Sequence, residues 1–187
     1  MAFRTLLTML AAIAGSVGAF PDGSCFLRSC TQSPYMLAWN NDTCFRIVDK
    51  VCVPDPRTGI DCCNTFRSAL VKIVISAKPE CESTIRAVSV NGIKKAGGVF
   101  FDTTPSPQLR ITSLTLNATT AVNAVLCFSA VAPCNTAALL CDTWPCLFAV
   151  YDPFRHACCP SCEFFAPSPQ PAPSPSPSPS PSPLPWF

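Results

Sequence analysis

Charged residues and long apolar runs are both scarce in this sequence of 187 residues, and histidine occurs only once. Asp, Glu, Lys and Arg make up 13% of the chain, against about 25% in a typical globular protein. The formal net charge is +2, with no basic patch of the kind that nucleic-acid binding needs. No apolar run reaches the roughly 18 residues of a transmembrane helix, so we expect no membrane span.

Motifs of catalysis are also missing. The single histidine, His156, lies near Cys158 and Cys159, but a cysteine nucleophile requires a free thiol with a lowered pKa. We therefore interpret His156 as a surface residue. The sequence has no Gly-x-Ser-x-Gly motif and no phosphate-binding loop, and its acidic residues are scattered. We predict no catalytic residues, no metal, no cofactor and no enzymatic activity.

Residues 1–19 have the features of a signal peptide. Arg4 gives a positive start, residues 6–14 form a short apolar run, and Val17-Gly18-Ala19 offers small residues at a cleavage site. The alternative is a buried N-terminal helix, which is less favoured because the run is short and lacks capping residues. We predict secretion, with a mature chain that begins at Phe20.

Cysteine, in contrast, is abundant, with 14 residues between Cys25 and Cys162. In a secreted chain this even number predicts a disulfide framework whose pairing the sequence does not reveal. The spacings Cys159-x-x-Cys162 and Cys141-x₄-Cys146 resemble zinc motifs, but disulfides are favoured after a signal peptide. The predicted disulfide residues are Cys25, Cys30, Cys44, Cys52, Cys62, Cys63, Cys81, Cys127, Cys134, Cys141, Cys146, Cys158, Cys159 and Cys162.

Two pairs of cysteines, Cys62-Cys63 and Cys158-Cys159, are adjacent in the sequence. Neighbouring cysteines seldom bond each other, because the small ring distorts disulfide geometry. We expect each of these cysteines to bond a different distant partner.

Residues 20–166 form a block of strand-like runs separated by prolines and glycines. Asn91-Gly92 follows one run directly and predicts a hairpin turn. A change of phase near Thr112-Ser113 suggests a bulge within another run, and one short capped helix is predicted over residues 135–141. The predicted strands are residues 45–48, 51–53, 70–75, 85–90, 109–116, 124–130 and 147–151. These patterns predict a mainly β, disulfide-rich single domain, either sandwich-like or an irregular sheet.

Residues 167–187 form a Ser/Pro-rich tail that carries 10 of the 21 prolines. Alternating Ser-Pro fixes φ at every second residue and pushes each serine to extended values. The tail is therefore predicted to form a polyproline II rod, with a reach of roughly 65 Å at ~3.1 Å per residue. A passive linker and a glycosylated rod remain open alternatives.

Sequons and aromatic residues supply the remaining candidate sites. Asn41-Asp42-Thr43 and Asn117-Ala118-Thr119 are acceptors for N-glycosylation, so Asn41 and Asn117 are predicted surface residues. Trp39, Trp144 and phenylalanines could stack on sugar rings, but burial in the core is the favoured interpretation.

The order of the cysteines and their neighbours resembles the pherophorin domain of volvocine green algae. The likeness covers almost all of residues 20–162, and the adjacent cysteine pairs, the Asn-Gly turn and the closing Cys158-Cys159-Pro160-Ser161-Cys162 carry it. Further matching positions are Phe20-Pro21, Cys25, Cys30, Ser33-Pro34-Tyr35, Cys44-Phe45, Cys52, Cys62-Cys63, Lys72-Ile73, Cys81, Val90-Asn91-Gly92, Leu109-Arg110-Ile111-Thr112, Leu126-Cys127, Cys134, Leu140-Cys141, Cys146 and Tyr151-Asp152. A Ser-Pro rod directly after the domain fits the same family.

The resemblance implies a structural glycoprotein of the extracellular matrix or cell wall. Its partners would be other matrix glycoproteins or wall polysaccharide, with self-association as a further route. A soluble sex-inducer-like signal and a carbohydrate-binding module that tethers to the wall are the alternatives.

The resemblance also implies hydroxylation and O-glycosylation of the Ser-Pro prolines: Pro169, Pro175, Pro177, Pro179, Pro181 and Pro183. Typical members carry a second globular domain after the rod, whereas this sequence ends at Phe187. A short product and a truncated sequence both remain open.

Overall fold

A computed structural model of the chain describes Phe20, residues 26–153 and residues 157–164. These residues form ten strands and three short α-helices, arranged around two five-stranded antiparallel sheets. The expected signal peptide, Cys25, His156 and the Ser/Pro-rich tail with its candidate prolines lie outside the described residues.

The strands of the first sheet follow the order β1-β2-β8-β4-β5. Their bounds are β1 (Tyr35–Asn41), β2 (Cys44–Asp49), β8 (Val125–Ala130), β4 (Ile85–Val90) and β5 (Ile93–Lys94).

The strands of the second sheet follow the order β10-β9-β3-β7-β6. Their bounds are β10 (Ser161–Phe164), β9 (Cys146–Tyr151), β3 (Lys72–Ser76), β7 (Gln108–Ile111) and β6 (Val99–Asp102). The helices are α1 (Cys62–Ser68), α2 (Ala118–Ala121) and α3 (Ala137–Leu140).

Aromatic residues join the two sheets into one core. Phe45 of β2 stacks on Phe128 of β8, with ring centroids 6.0 Å apart, and meets Phe164 of β10 edge-on at 5.1 Å. Phe164 in turn contacts Phe148 of β9 at 5.8 Å. Burying each such ring contributes roughly 1.5–3 kcal/mol. The prediction of a mainly β, disulfide-rich fold is confirmed, and the shared core favours the sandwich over the irregular sheet.

The hairpin at Asn91-Gly92 matches the sequence prediction closely. Strand β4 covers the predicted residues, and Val90 pairs with Ile93 across the turn. Asn91 and Gly92 have φ values of +51° and +79°. Positive φ at both central residues is the geometry that Asn-Gly favours in a two-residue hairpin.

The predicted strand over residues 51–53 is wrong. Strand β2 ends at Asp49, and Val51 and Val53 are 85% and 55% exposed. The amide of Val53 donates a hydrogen bond to the carbonyl of Thr31, at 2.7 Å, outside any strand. The β-branched side chains of residues 51–53 favour a strand, but no neighbouring strand pairs with them.

The predicted strand over residues 109–116 is correct only as far as Ile111. Ser113 and Thr115 adopt positive φ, which ends the strand and gives an irregular segment in place of the expected bulge. Leu114 and Leu116 are nevertheless buried, and their amides bond to the carbonyls of Val71 and Leu70. The alternation of apolar residues therefore predicted correctly which side chains are buried, although the strand is not continuous.

The predicted helix over residues 135–141 is present but shorter, as α3, and Thr136 caps it by accepting from the amide of Leu139. The sequence reading missed α1, whose start is capped by Asp61 accepting from the amide of Asn64 at 3.0 Å. It also missed helix α2 and strands β1, β6 and β10.

Six disulfides join described cysteines, and each adjacent pair behaves as the sequence analysis expected. Cys62 bonds Cys158 and Cys63 bonds Cys52, so neither bonds its neighbour. Cys159 is also disulfide-bonded. The remaining bridges are Cys30–Cys162, Cys44–Cys127, Cys81–Cys134 and Cys141–Cys146.

Candidate functional site

The outer face of the second sheet carries a cleft of about 300 Å³, here called the polar cleft. Its lining residues are Lys72, Val74, Asp102, Thr104, Gln108, Arg110 and Tyr151. Strands β3, β6, β7 and β9 contribute six of these residues, and the β6–β7 connection contributes Thr104.

The alternation of strand β7 places its polar residues in this cleft. Leu109 and Ile111 point into the core and are 1% and 2% exposed. Gln108 and Arg110 therefore point to the opposite face. The strand register aligns Gln108 with Asp102 and aligns Arg110 with Val74 of the neighbouring strand.

Asp102 and Arg110 form a two-point ion pair in the cleft. The guanidinium Nε lies 2.8 Å from Oδ2 and Nη2 lies 2.9 Å from Oδ1. These hydrogen bonds from Arg110 hold the pKa of Asp102 below its usual value, and the Asp102 carboxylate raises the pKa of Arg110. Both side chains are therefore charged at neutral pH and hold each other in a fixed orientation.

Two cations of the cleft lie against aromatic rings. The Nζ atom of Lys72 lies 3.4 Å from the ring centroid of Tyr151, and the guanidinium carbon of Arg110 lies 4.5 Å from that of Phe100. Tyr151 is almost fully buried, whereas Phe100 is 47% exposed at the margin of the cleft. Such contacts orient the cations over the rings.

Gln108 has an unsatisfied oxygen. Its Nε2 donates to Oδ2 of Asp102 at 3.2 Å, while its Oε1 has no hydrogen-bond partner among the described residues. The residue is 5% exposed. Leaving a buried acceptor unpaired costs roughly 1–3 kcal/mol, and this oxygen is closed to solvent by the surrounding residues.

Metal-binding clusters are not found in the part of the chain that the structure describes. There, no group of three or more His, Cys, Asp or Glu side chains is placed to hold a metal ion. The cysteines of the two zinc-like spacings lie in disulfides, since Cys141 bonds Cys146 and Cys162 bonds Cys30. The same described residues include no helix long and apolar enough to cross a membrane.

The two sequon asparagines are exposed and have the same local geometry. Oδ1 of Asn41 accepts from the amide of Thr43 at 3.0 Å, and Oδ1 of Asn117 accepts from the amide of Thr119 at 3.0 Å. Asn41 is the last residue of β1, next to the turn into β2, whereas Asn117 caps α2, which leads to the opposite end of β2. Glycans at these positions would extend from opposite ends of the first sheet.

The structure separates the two tryptophans considered as sugar-stacking residues. Trp39 packs against the core, with its ring 6.1 Å from Phe45 in an edge-on arrangement. Trp144 is 50% exposed within the loop that the Cys141–Cys146 disulfide closes. The core interpretation is correct for Trp39, which packs against the core, and wrong for Trp144, whose indole is half exposed.

Sequence reasoning missed the polar cleft entirely. Asp102, Gln108 and Arg110 meet through the pairing of β6 with β7, and Lys72 joins them from β3. The available signal was the alternation of Gln108 and Arg110 with buried Leu109 and Ile111, which places two polar residues on one face of a strand.

Comparison with known families supports the resemblance noted from the sequence. The chain matches the family model described as Pherophorin over residues 20–160. No curated protein and no solved structure matches it. Since the match spans more than half of the chain and includes nine of the ten strands, the chain belongs to the pherophorin family.

Proposed function

We propose that this chain is a secreted structural glycoprotein of the extracellular matrix or cell wall, without enzymatic activity. The observation that carries the proposal is the family match over residues 20–160, because pherophorins are a family of matrix proteins. The wall-bound role and its partners, other matrix glycoproteins or wall polysaccharide, are part of this proposal.

The disulfide network supports secretion. Six bridges link described residues from Cys30 to Cys162, and disulfides of this density persist in oxidising compartments. The predicted signal peptide of residues 1–19 gives the route to such a compartment. A matrix protein also benefits from bridges because they limit unfolding where no chaperone acts.

The exposed sequons support a glycoprotein. Asn41 and Asn117 can carry glycans without disturbing either sheet, since both side chains face solvent. N-glycosylation at these two positions is part of the proposal. Hydroxylation and O-glycosylation of Pro169, Pro175, Pro177, Pro179, Pro181 and Pro183 are part of it as well.

Fractionation of cells that express the native protein tests the proposal. An antibody against residues 20–162 would follow the protein in culture medium and in washed wall, before and after extraction with chaotrope and with reductant. We expect retention in the wall and release by chaotrope. Release only after reduction would add intermolecular disulfides to the matrix role. Recovery entirely as a soluble monomer in the medium would overturn the structural role and favour the soluble signal.

Glycosylation is tested separately by the variants Asn41→Gln and Asn117→Gln. Each variant is expected to lack one N-glycan and therefore to migrate faster than the wild type in gel electrophoresis. Enzymatic removal of N-glycans should bring all forms to one band. Unchanged mobility of a variant would show that its asparagine carries no glycan.

A further inference from the structure

We propose that a second cleft, beside strands β4 and β5, binds the carboxylate or sulfate groups of an acidic polysaccharide. This cleft has a volume of about 220 Å³ and is lined by residues 85–88, residues 94–97 and Val99; we call it the basic cleft. The inference deepens the proposed function by naming the chemistry of a partner. It rests on that function for the source of the polysaccharide, the surrounding wall.

The lining of the basic cleft concentrates positive charge. Arg86, Lys94 and Lys95 are three of its nine residues, and none of the nine is Asp or Glu. Strand β8, which pairs with β4, carries no charged residue. Along the chain, the flanking acidic residues are Glu82, which does not line the cleft, and Asp102, whose carboxylate is already in an ion pair. An anionic ligand therefore meets attraction here without a carboxylate in the lining to oppose it.

A β-bulge brings Arg86 to the surface. Val88 of β4 points into the core and is 1% exposed, and a regular strand would turn Arg86, two residues earlier, to the same face. The register of β4 against β8 shifts between Ile85 and Ala87, so Arg86 is the extra residue of a bulge. Its side chain is exposed as a result, and the guanidinium is available at the cleft.

The β4–β5 hairpin supplies the two lysines. Lys94 pairs with Ser89 across the strands and is exposed. Neither Lys94 nor Arg86 makes a hydrogen bond or an ion pair with a residue that the structure describes. The Nζ atom of Lys95 donates to the carbonyl of Ser113 at 2.6 Å, which fixes this third cation beside the cleft. An ammonium and a guanidinium with unused N–H groups are the donors that carboxylate and sulfate oxygens accept from most strongly.

Small residues keep the space between the cations open. Ala87, Ala96 and Gly97 line the cleft, and a Cβ added at Gly97 would have no atom within 4 Å. A uronate or sulfated sugar carries its anionic group on a rigid ring that such an open surface admits. Binding it orders fewer rotatable bonds than binding the glutamate side chains of an acidic peptide, so a polysaccharide is the favoured ligand.

Binding of defined polymers to the secreted full chain tests the inference. The probes are polygalacturonate, dextran sulfate, unmodified dextran and poly-L-glutamate. Titration calorimetry at about 0.05 M and about 0.5 M NaCl compares two screening lengths that differ about threefold. We expect polygalacturonate or dextran sulfate to bind at low salt and to lose affinity at high salt, and dextran not to bind. The tighter of the two anionic polysaccharides identifies carboxylate or sulfate as the preferred group.

Two variants of Gly97 separate charge from shape. Gly97→Asp adds a carboxylate to the lining, and Gly97→Asn adds a neutral side chain of nearly the same size; the Cβ of either meets no neighbouring atom. We expect Gly97→Asp to weaken binding of the anionic polysaccharide about fivefold, the scale of one exposed charge–charge contact. Gly97→Asn should leave the affinity unchanged. Equal weakening by both variants would contradict an electrostatic site.

Lys94→Glu keeps the inference testable should Gly97→Asp fail to fold, which thermal unfolding of each variant checks. It should weaken binding about tenfold, because it removes an attraction and adds a repulsion. Arg67→Glu is the matched control with the same change of net charge. Arg67 is exposed on α1, and its charge acts on Tyr35 of β1, at the opposite edge of the first sheet from β5. Its reversal should change the affinity far less, and an equal loss would place the binding site elsewhere.

Three further results would overturn the inference. They are the absence of binding to both anionic polysaccharides, binding of dextran as tight as that of dextran sulfate, and binding of poly-L-glutamate as tight as that of polygalacturonate, which would assign the cleft to acidic protein segments. Retention of the native protein in the wall is measured separately. A chain that stays in the wall but binds none of the polyanions would overturn this inference alone, and recovery in the medium would overturn the matrix role alone.

Discussion

The two edges of the sandwich are held together in different ways. At one edge β1 of the first sheet lies beside β10 of the second, and the Cys30–Cys162 disulfide joins the chain segments there. At the other edge lie β5 and β6, within residues 82–126, a stretch without cysteine. We call this stretch the cysteine-free region and the rest of the described chain the stapled region.

The cysteine-free region depends on strand pairing, core packing and tight turns. Val88 and Leu109 are each 1% exposed and anchor it in the core. The turn at Asn91-Gly92 connects β4 with β5. The same region carries Asn117 and four residues of the polar cleft, Asp102, Thr104, Gln108 and Arg110. The larger part of the polar cleft therefore lies in the region without covalent cross-links, whereas Lys72, Val74 and Tyr151 come from the stapled region.

The largest expected effect comes from opening the stapled edge. The double variant Cys30→Ala with Cys162→Ala removes a bridge between residues 132 apart, and we expect a loss of unfolding free energy of about 3–4 kcal/mol. The Cys62–Cys158 bridge shortens the effective loop, which keeps the loss below that of an isolated loop of this length. Urea unfolding under non-reducing conditions measures it.

The double variant Cys141→Ala with Cys146→Ala is the control, because its bridge spans residues only 5 apart. The chain-entropy argument gives a smaller loss of about 2 kcal/mol. Equal losses for the two double variants would contradict an entropic origin of the difference.

Gly98→Ala probes the cysteine-free region at its tightest backbone contact. Gly98 has φ of +76°, and an added Cβ would lie 2.8 Å from Thr112 Oγ1 and 2.9 Å from the Thr112 carbonyl oxygen. We expect a loss of about 2–3 kcal/mol, because the left-handed conformation costs roughly 1–2 kcal/mol and the clash adds to it. Denaturant unfolding gives the value.

Gly92→Ala is the matched control for the glycine variant. Gly92 has φ of +79° with no atom within 4 Å of the added Cβ, so it reports the backbone cost alone. If both glycine variants lose the same free energy, close packing at Thr112 has no part in the effect.

Acid titration measures the contribution of the Asp102–Arg110 ion pair, which lies in the cysteine-free region. The pKa of Asp102 is lowered in the folded state, so its stabilisation is present above the ordinary value of 3.8 and is lost as the pH falls through the folded pKa. Asp102→Asn should therefore cost about 1 kcal/mol at neutral pH, and this difference from wild type should shrink below about pH 4. Unfolding curves of both proteins from pH 7 to pH 2 measure it. A difference that stays constant with pH would show that the carboxylate charge is not responsible.

Tyr35→Phe is expected to have the smallest effect, and it lies in the stapled region. Tyr35 is 1% exposed, burial raises the pKa of its phenol, and its hydroxyl has no hydrogen-bond partner among the described residues. Removing the hydroxyl should leave the melting temperature unchanged or raise it, with a gain of up to about 1 kcal/mol. A clear loss of stability on calorimetry would mean that the hydroxyl makes a favourable contact.

Local signals explain which elements the sequence predicted. Asn91-Gly92 and the alternation before it specify the β4–β5 hairpin without help from distant residues. Strand β10 has only four residues, and its Cys162 and Phe164 are buried through contacts with β9 that no local pattern reveals. The valines at 51 and 53 show the reverse case, in which β propensity is present but no partner strand is available.

The polar cleft was beyond sequence reasoning for the same reason. Asp102 meets Gln108 through the β6–β7 register, which depends on where each strand begins and ends. The disulfide pairing also depends on non-local contacts. The sequence indicated that Cys62 and Cys63 would not bond each other, but their partners, Cys158 and Cys52, follow only from the folded chain.

The position of the Cys30–Cys162 bridge also determines how the domain responds to tension. A pull at Phe164 reaches Cys162 after two residues and crosses the sulfur–sulfur bond to Cys30, close to the first residues of the domain. The mechanical load therefore passes from one end of the domain to the other through covalent bonds and bypasses the hydrogen bonds of both sheets, except those that β10 makes with β9 beyond Cys162. Stretching a chain anchored at its two ends would leave the sandwich, its core and its outer surfaces folded for as long as this bridge stays oxidised.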